Sequence, residues 1–142
     1  MIVGEFDPSG RPTVEGHLTL PRFGIFRTIN FLVDTGADST CIHPRDGAPA
    51  RIPFDLLGGS VPSSGVGGTV TYFRELAVLE FLDVEAREIH KYELDVFIAK
   101  PEPDSRHSIN RLHSLLGRDV LDRWRMVYER TDNLLEFIVR RY

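Results

Sequence analysis

The chain has 142 residues and a mass of 16.1 kDa, the size of one compact domain, so any function that needs two large lobes needs two chains. Hydrophobic residues make up 42% and charged residues 27%, an ordinary globular balance that argues against disorder, collagen-like repeats or a coiled coil. The net charge of -4, from 17 basic and 21 acidic residues, supplies no general attraction for nucleic acid or an anionic membrane, and neither is expected as a partner.

The opening Met1-Ile2-Val3-Gly4-Glu5-Phe6 has no basic stretch followed by a long apolar run, and the single cysteine, Cys41, has no intrachain partner for a disulfide. The expected home is the reducing cytoplasm, and no apolar run approaches the roughly 18 residues of a membrane span.

With 12 glycines and 9 prolines, the chain is cut into short stretches rich in β-branched and aromatic residues, which is the cadence of an all-β protein. Val14 to Leu20 alternates in polarity after the turn-like Asp7-Pro8-Ser9-Gly10-Arg11-Pro12, predicting a first hairpin over Ile2 to Leu20. Ile29 to Val33 reads as an apolar strand covered on both faces. Pro53 to Leu57 suggests a turn, Val70 to Phe81 and Tyr92 to Ile98 read as half-buried strands, and Pro101 to Ser105 reads as a surface loop. The best helix is Arg118 to Arg123, directly after Gly117. Trp124 to Tyr128 and Leu134 to Val139 form a last hairpin around the polar Glu129-Arg130-Thr131-Asp132-Asn133, whose Asp and Asn suit a turn. No repeat, low-complexity tract or domain boundary interrupts residues 1–142, so a single domain is expected.

The segment richest in chemistry is Phe31-Leu32-Val33-Asp34-Thr35-Gly36-Ala37-Asp38-Ser39-Thr40, in which an apolar strand delivers a carboxylate into a tight glycine-containing turn. Such a place partly desolvates the acid, although Asp-Thr-Gly alone is also what an exposed β-turn would use. A second segment, Ser114-Leu115-Leu116-Gly117-Arg118-Asp119-Val120-Leu121, is again an apolar strand running through glycine into a helix, and the two together are far more specific.

Together these segments resemble the retropepsin-like aspartic proteases, in which a hydrophobic strand ending in Asp-Thr-Gly-Ala is matched by a later hydrophobic pair, glycine and short helix. The resemblance spans nearly the whole chain and implies an all-β, closed barrel-like fold with a flap hairpin and one short C-terminal helix. It implies an aspartic endopeptidase needing no cofactor and no metal. That chemistry uses two facing carboxylates, whereas Asp-Thr-Gly occurs once and Asp-Ser-Gly not at all. A homodimer is therefore expected, with one Asp34 from each copy activating water against a peptide substrate. By the same resemblance Thr35 braces the two catalytic loops and Gly36 lets backbone approach substrate. Ala37 offers no hydroxyl to the aspartate, implying a less acidic working range than that of pepsin-like enzymes. Asp38 and Arg118 match an internal ion pair, expected to be partly buried and structural.

Ser63-Ser64-Gly65-Val66-Gly67-Gly68-Thr69-Val70 lies where the family's flap would be, although alone it would read as a surface loop. Ala37, Asp38, Ile42, Gly65, Val66, Gly67 and Gly68 are the expected substrate contacts. The chain departs from the retroviral pattern by continuing after the helix through a whole hairpin.

Competing readings are weaker. Cys41 and His43 would share one face of a strand, but no third metal ligand accompanies them, and His107 and His113 read as solvated. A Mg²⁺ site on Asp34 and Asp38 lacks a phosphate-binding loop. The arginines at 123, 125, 130, 140 and 141 are interspersed with acids and read as a mixed solvated face. The rival from another class is a retropepsin-like dimer that binds peptides or assembles without cleaving.

Overall fold

The computed structural model describes residues 1–65, 68–104 and 106–140, and of residues 63–65, 68 and 69 the backbone only. In chain order the elements are β1 (Ile2–Val3), β2 (Glu5–Phe6), β3 (Pro12–Leu20), β4 (Ile25–Val33), β5 (Cys41–Ile42), α1 (Pro44–Gly47), β6 (Ser60–Gly65), β7 (Gly68–Asp83), β8 (Glu88–Ala99), β9 (Leu115–Leu116), α2 (Arg118–Leu121), β10 (Trp124–Glu129) and β11 (Leu134–Val139). Single 3-10 turns lie at Pro21–Phe23, Phe54–Leu56 and Ser108–Asn110.

The main sheet runs β2-β3-β4-β9-β5-β8-β7-β6, and a further pairing of β3 with β7 closes six of its strands into a barrel. Closure removes the open edges that would otherwise invite pairing with other chains. Alternation places Val14, Leu18 and Leu20 of β3, Ile29, Phe31 and Val33 of β4, and Leu79 and Phe81 of β7 inside. Gly16 sits where a side chain would lie within 2.7 Å of Phe81 and 3.1 Å of Phe31, so its lack of one lets both rings pack over β3. Phe81 meets Trp124 edge to face at 4.9 Å and Trp124 meets Phe137 at 5.1 Å, welding the barrel to a smaller sheet ordered β1-β11-β10. The indole of Trp124 donates to the Tyr92 hydroxyl at 2.8 Å, so burying it leaves no donor stranded.

Several sequence expectations need correction. The N-terminal hairpin is confined to β2 and β3, because Ile2 and Val3 pair instead with Phe137 and Glu136 of β11. The Asp7 carboxylate stabilises the predicted turn by accepting from the amides of Ser9 and Arg11, both at 2.9 Å. Strand β4 begins at Ile25 and is buried on one face only, with Asn30 exposed and Leu32 half-buried. A second short helix, α1, joins the expected C-terminal one; Pro44 occupies its first turn, where a missing amide hydrogen costs nothing. The final hairpin forms as expected, with Asn133 left-handed (φ 53°) in its turn.

Candidate active site

Asp34 follows the last residue of β4, and its position is set by backbone on both sides. Its amide donates to the Leu116 carbonyl at 3.0 Å and its carbonyl accepts from Ala37 at 3.2 Å. The side-chain Oδ1 accepts from the Gly36 amide at 2.9 Å, so the carboxylate stabilises the turn that presents it. Asp34 and Ala37 are half-buried, while Thr35 and Gly36 are exposed at the tip.

The chain leaves along β4, turns through residues 34–40 and returns as β5, and β9 lies between these two arms. Leu32 and Val33 pair in parallel with Leu115 and Leu116, and Cys41 pairs antiparallel with Leu115. This crossing explains why a glycine follows the Leu115-Leu116 pair. A Cβ on Gly117 would lie 2.5 to 2.9 Å from the carbonyl carbon, oxygen and nitrogen of Ser39, all backbone atoms with nowhere to go.

Helix α2 is tied to the turn chiefly by buried groups. The amides of Arg118 and Asp119 donate to the carbonyls of Ala37 (2.9 Å) and Asp38 (3.2 Å). The Asp119 carboxylate accepts from the Thr40 amide at 2.9 Å and the Thr40 hydroxyl at 2.8 Å, and that hydroxyl accepts from the Gly117 amide at 3.2 Å. The predicted pair of Asp38 and Arg118 also forms, but their side chains are 84% and 48% exposed. The expectation that burial makes this pair structurally costly to break is therefore corrected: an exposed pair is worth little, and the contact of the buried Thr40 with the half-buried Asp119 carries the connection. Sequence reading missed Thr40 and Asp119, since two polar residues so far apart form no local pattern.

Beside the turn lies a cavity of about 350 Å³ lined mainly by apolar groups from Ala37, Cys41, Val61, Tyr72, Phe97 and Leu115, with Asp38 also on its wall. Alternation along β5 turns Cys41 toward this space and Ile42 into the core, where it is wholly buried, so Cys41 occupies the wall position expected of Ile42. Burial, aided by the nearby negative charges of Asp119 and Asp34, pushes the Cys41 thiol up to about 12, and it donates to the Ser39 carbonyl at 3.4 Å. Strands β6 and β7 pair from Ser60 opposite Phe73 to Gly65 opposite Gly68 and border this cavity through Val61 and Tyr72. Val66 and Gly67, the centre of the expected flap, lie outside the described residues.

Behind the cavity His43 is 1% exposed and hydrogen-bonded at every polar atom. Its amide donates to Ser114 Oγ at 3.0 Å, and that hydroxyl donates to Asp46 at 2.6 Å. Nδ1 lies 2.6 Å from the His113 carbonyl, which only accepts, so Nδ1 carries the hydrogen and Nε2 of the neutral ring accepts from the Tyr72 hydroxyl at 3.0 Å. Burial holds the His43 imidazole below its ordinary range and raises the Tyr72 phenol to about 12. Instead of the solvated position expected for it, His113 is half-buried and accepts from Arg45 at 2.9 Å. Among the described residues, no group of three or more His, Cys, Asp or Glu side chains could hold a metal ion, and no helix is long and apolar enough to cross a membrane.

Comparison with solved structures places this architecture. A retropepsin-like aspartic protease from Rickettsia conorii superposes with a TM-score of 0.57 at 15% identity, over 96% of this chain and 88% of its own. An EIAV protease bound to an inhibitor gives 0.49 at 19% identity, over 82% and 90%. The first shows a retropepsin-like fold. No curated protein matches the sequence significantly. The sequence profile of the aspartyl protease family matches residues 18–120, which include the Asp34 turn, the cavity wall and the Gly117 crossing. The chain thus belongs to the aspartyl protease family and is an aspartic-type endopeptidase.

Proposed function

We propose that the working enzyme is a homodimer in which each copy contributes one Asp34 to a catalytic dyad that hydrolyses peptide bonds. The observation that carries this reading is the Asp34 carboxylate fixed by its own turn at the β4–β9–β5 crossing, with Thr35 and Gly36 exposed beside it for contact with a second copy. Two carboxylates meeting on a two-fold axis cannot both ionise cheaply, so they share one proton. The ionised member takes a proton from water as that water attacks the scissile carbonyl, while the protonated member donates to the carbonyl oxygen. Thr35 braces the paired turns and Gly36 keeps the approach to substrate open. The Asp38–Arg118 pair steadies the turn from outside.

The peptide lies extended between the turn and the β6–β7 hairpin, pairing its backbone as an added strand and placing a side chain in the cavity beside Ala37, Asp38 and Cys41. The β6–β7 hairpin, described as far as Gly65 opposite Gly68, is the lid over it. The test is digestion of a peptide library by wild type and Asp34→Asn, with sedimentation to weigh the particle. Cleavage lost in the variant while peptide binding persists, in a particle of twice the chain mass, supports the reading. Cleavage unchanged by Asp34→Asn, or a strictly monomeric active species, overturns it. A wild type that binds peptides without cleaving them identifies a silent binding module instead.

A further inference from the structure

Tyr72 lines the cavity, and its hydrogen-bonding state is governed by a buried titratable group, His43. The Tyr72 ring borders the cavity while its hydroxyl donates inward to His43. His43 has no freedom to reorient, because Nδ1 is committed to the His113 carbonyl and its amide to Ser114. With neutral His43 the phenolic hydrogen is therefore withheld from the cavity, and the wall beside Cys41, Phe97 and Leu115 offers no donor from Tyr72. When His43 gains a proton, Nε2 becomes a donor, the Tyr72 oxygen must accept, and the phenolic hydrogen turns away from His43, with the cavity that Tyr72 lines open to it.

We propose that Tyr72 is a specificity-determining residue for the side chain that enters this cavity, and that His43 is a positioning residue acting through it. With neutral His43 the cavity offers no phenolic donor and disfavours a side chain whose polar atom can only accept, relative to its apolar isostere; with protonated His43 it offers that donor. The inference rests on the peptide-binding reading above. The titratable and charged groups packed around His43 are Arg45 and Asp46 from α1, His113 from the loop before β9, Tyr72 from β7 and Cys41 from β5. Cys41 and Tyr72 stay protonated throughout the working range, both standing at about 12. His113 beside it is a second imidazole held below its ordinary range by burial and by Arg45, so a variant that removes only His43 separates the two.

The test uses the full chain carrying Asp34→Asn, so that no turnover is needed, and matched peptides carrying norvaline or its isostere O-methylserine, whose ether oxygen only accepts, at the position that fills the cavity, found by scanning each position in turn. Calorimetric Kd values give a norvaline-to-O-methylserine preference from pH 5 to 8. The expected preference is greatest at pH 8 and falls about 3- to 10-fold toward pH 5, the value of one hydrogen bond gained. Tyr72→Phe, which has no hydroxyl, holds the preference high at every pH. His43→Leu, which offers no acceptor, holds it low at every pH. His43→Gln, whose amide can accept from Tyr72 and donate to His113, restores the high value without the pH dependence. A loss of packing alone would weaken both peptides equally and leave the ratio unmoved. A ratio flat with pH in the wild-type background at every position, unchanged by Tyr72→Phe, or no peptide binding at all, overturns the inference. Cleavage by the chain with Asp34 intact is scored separately, so failure of the dyad and failure of the Tyr72 assignment are distinguishable.

Discussion

Replacing Thr40 by Val tests whether the active-site turn is held from inside the protein or from its surface. Valine keeps the shape of threonine and its β-branching, so the strand geometry is preserved. What disappears is the hydroxyl, which donates to Asp119 at 2.8 Å and accepts from the Gly117 amide at 3.2 Å. The first loss is a bond to a charged acceptor, about 1.5–3 kcal/mol, and the second strands a buried amide, about 1–3 kcal/mol. The two together predict a destabilisation of about 3–5 kcal/mol, a large part of the roughly 5–15 kcal/mol available to a domain of this size. Thr40→Ser keeps both bonds and gives up one methyl, about 1 kcal/mol. Asp38→Ala breaks only the exposed pair with Arg118 and costs under about 1 kcal/mol. The assay is urea unfolding by circular dichroism at one protein concentration, where the valine variant should lose roughly 2 M in midpoint. A valine variant as stable as wild type, or an Asp38→Ala variant less stable than it, would refute the assignment of the tie to Thr40 and Asp119.

Gly117→Ala should be among the most damaging single-methyl additions, costing about 3 kcal/mol or more, because the clash is with Ser39 backbone and not with a side chain that can swing aside; thermal melting reads it. His43 titrates lower in the folded protein than its ordinary value of 6.5, so between those two pH values the unfolded chain binds more protons. Its contribution is fully present above about pH 6.5 and is lost as the pH falls. Urea midpoints measured from pH 7.5 to 5 should decline more steeply for wild type than for His43→Gln, and equal slopes would contradict a buried neutral imidazole. The Cys41 thiol, at about 12, should be alkylated by iodoacetamide at pH 8 at least tenfold more slowly in the folded protein than in urea, as counted by mass spectrometry.

Most strands were legible because their sequences carry the period-2 alternation that a one-sided barrel wall demands, as in Val14 to Leu20 and Tyr92 to Ile98. What escaped was the partner each strand chooses. Ile2 and Val3 read as the natural start of a hairpin with β3, yet Gly4 lets the chain cross to β11, where its amide donates to the Leu135 carbonyl at 2.8 Å. Strand β4 looked two-sided because Leu32 interrupts its polar positions. In the fold Leu32 lies at the edge of the β9 crossing and is only half-covered.

The site divides along the same physical line. Asp34 and Gly36 were legible because they meet a local backbone requirement, a carboxylate closing its own turn, and Gly117 because it stands between an apolar strand and a helix; that a Cβ there would come within 2.5 Å of the Ser39 backbone emerges only in the fold. Thr40, Asp119, His43 and Tyr72 were not, because their roles exist only once β5, β7 and α2 are brought together. The same reasoning explains why Ile42, expected to touch substrate, faces the core instead. Proximity to Asp34 in sequence says nothing about side, and on a strand of two residues the side is fixed by which neighbour faces the barrel interior. Leu116 and Ile98 fill that interior, so Ile42 joins them and Cys41 is left facing the cavity. The buried polar network behind Cys41 follows from this choice, since the next residue on that side, His43, is carried inward past the cavity to where Tyr72, Ser114 and the His113 carbonyl satisfy its ring and amide.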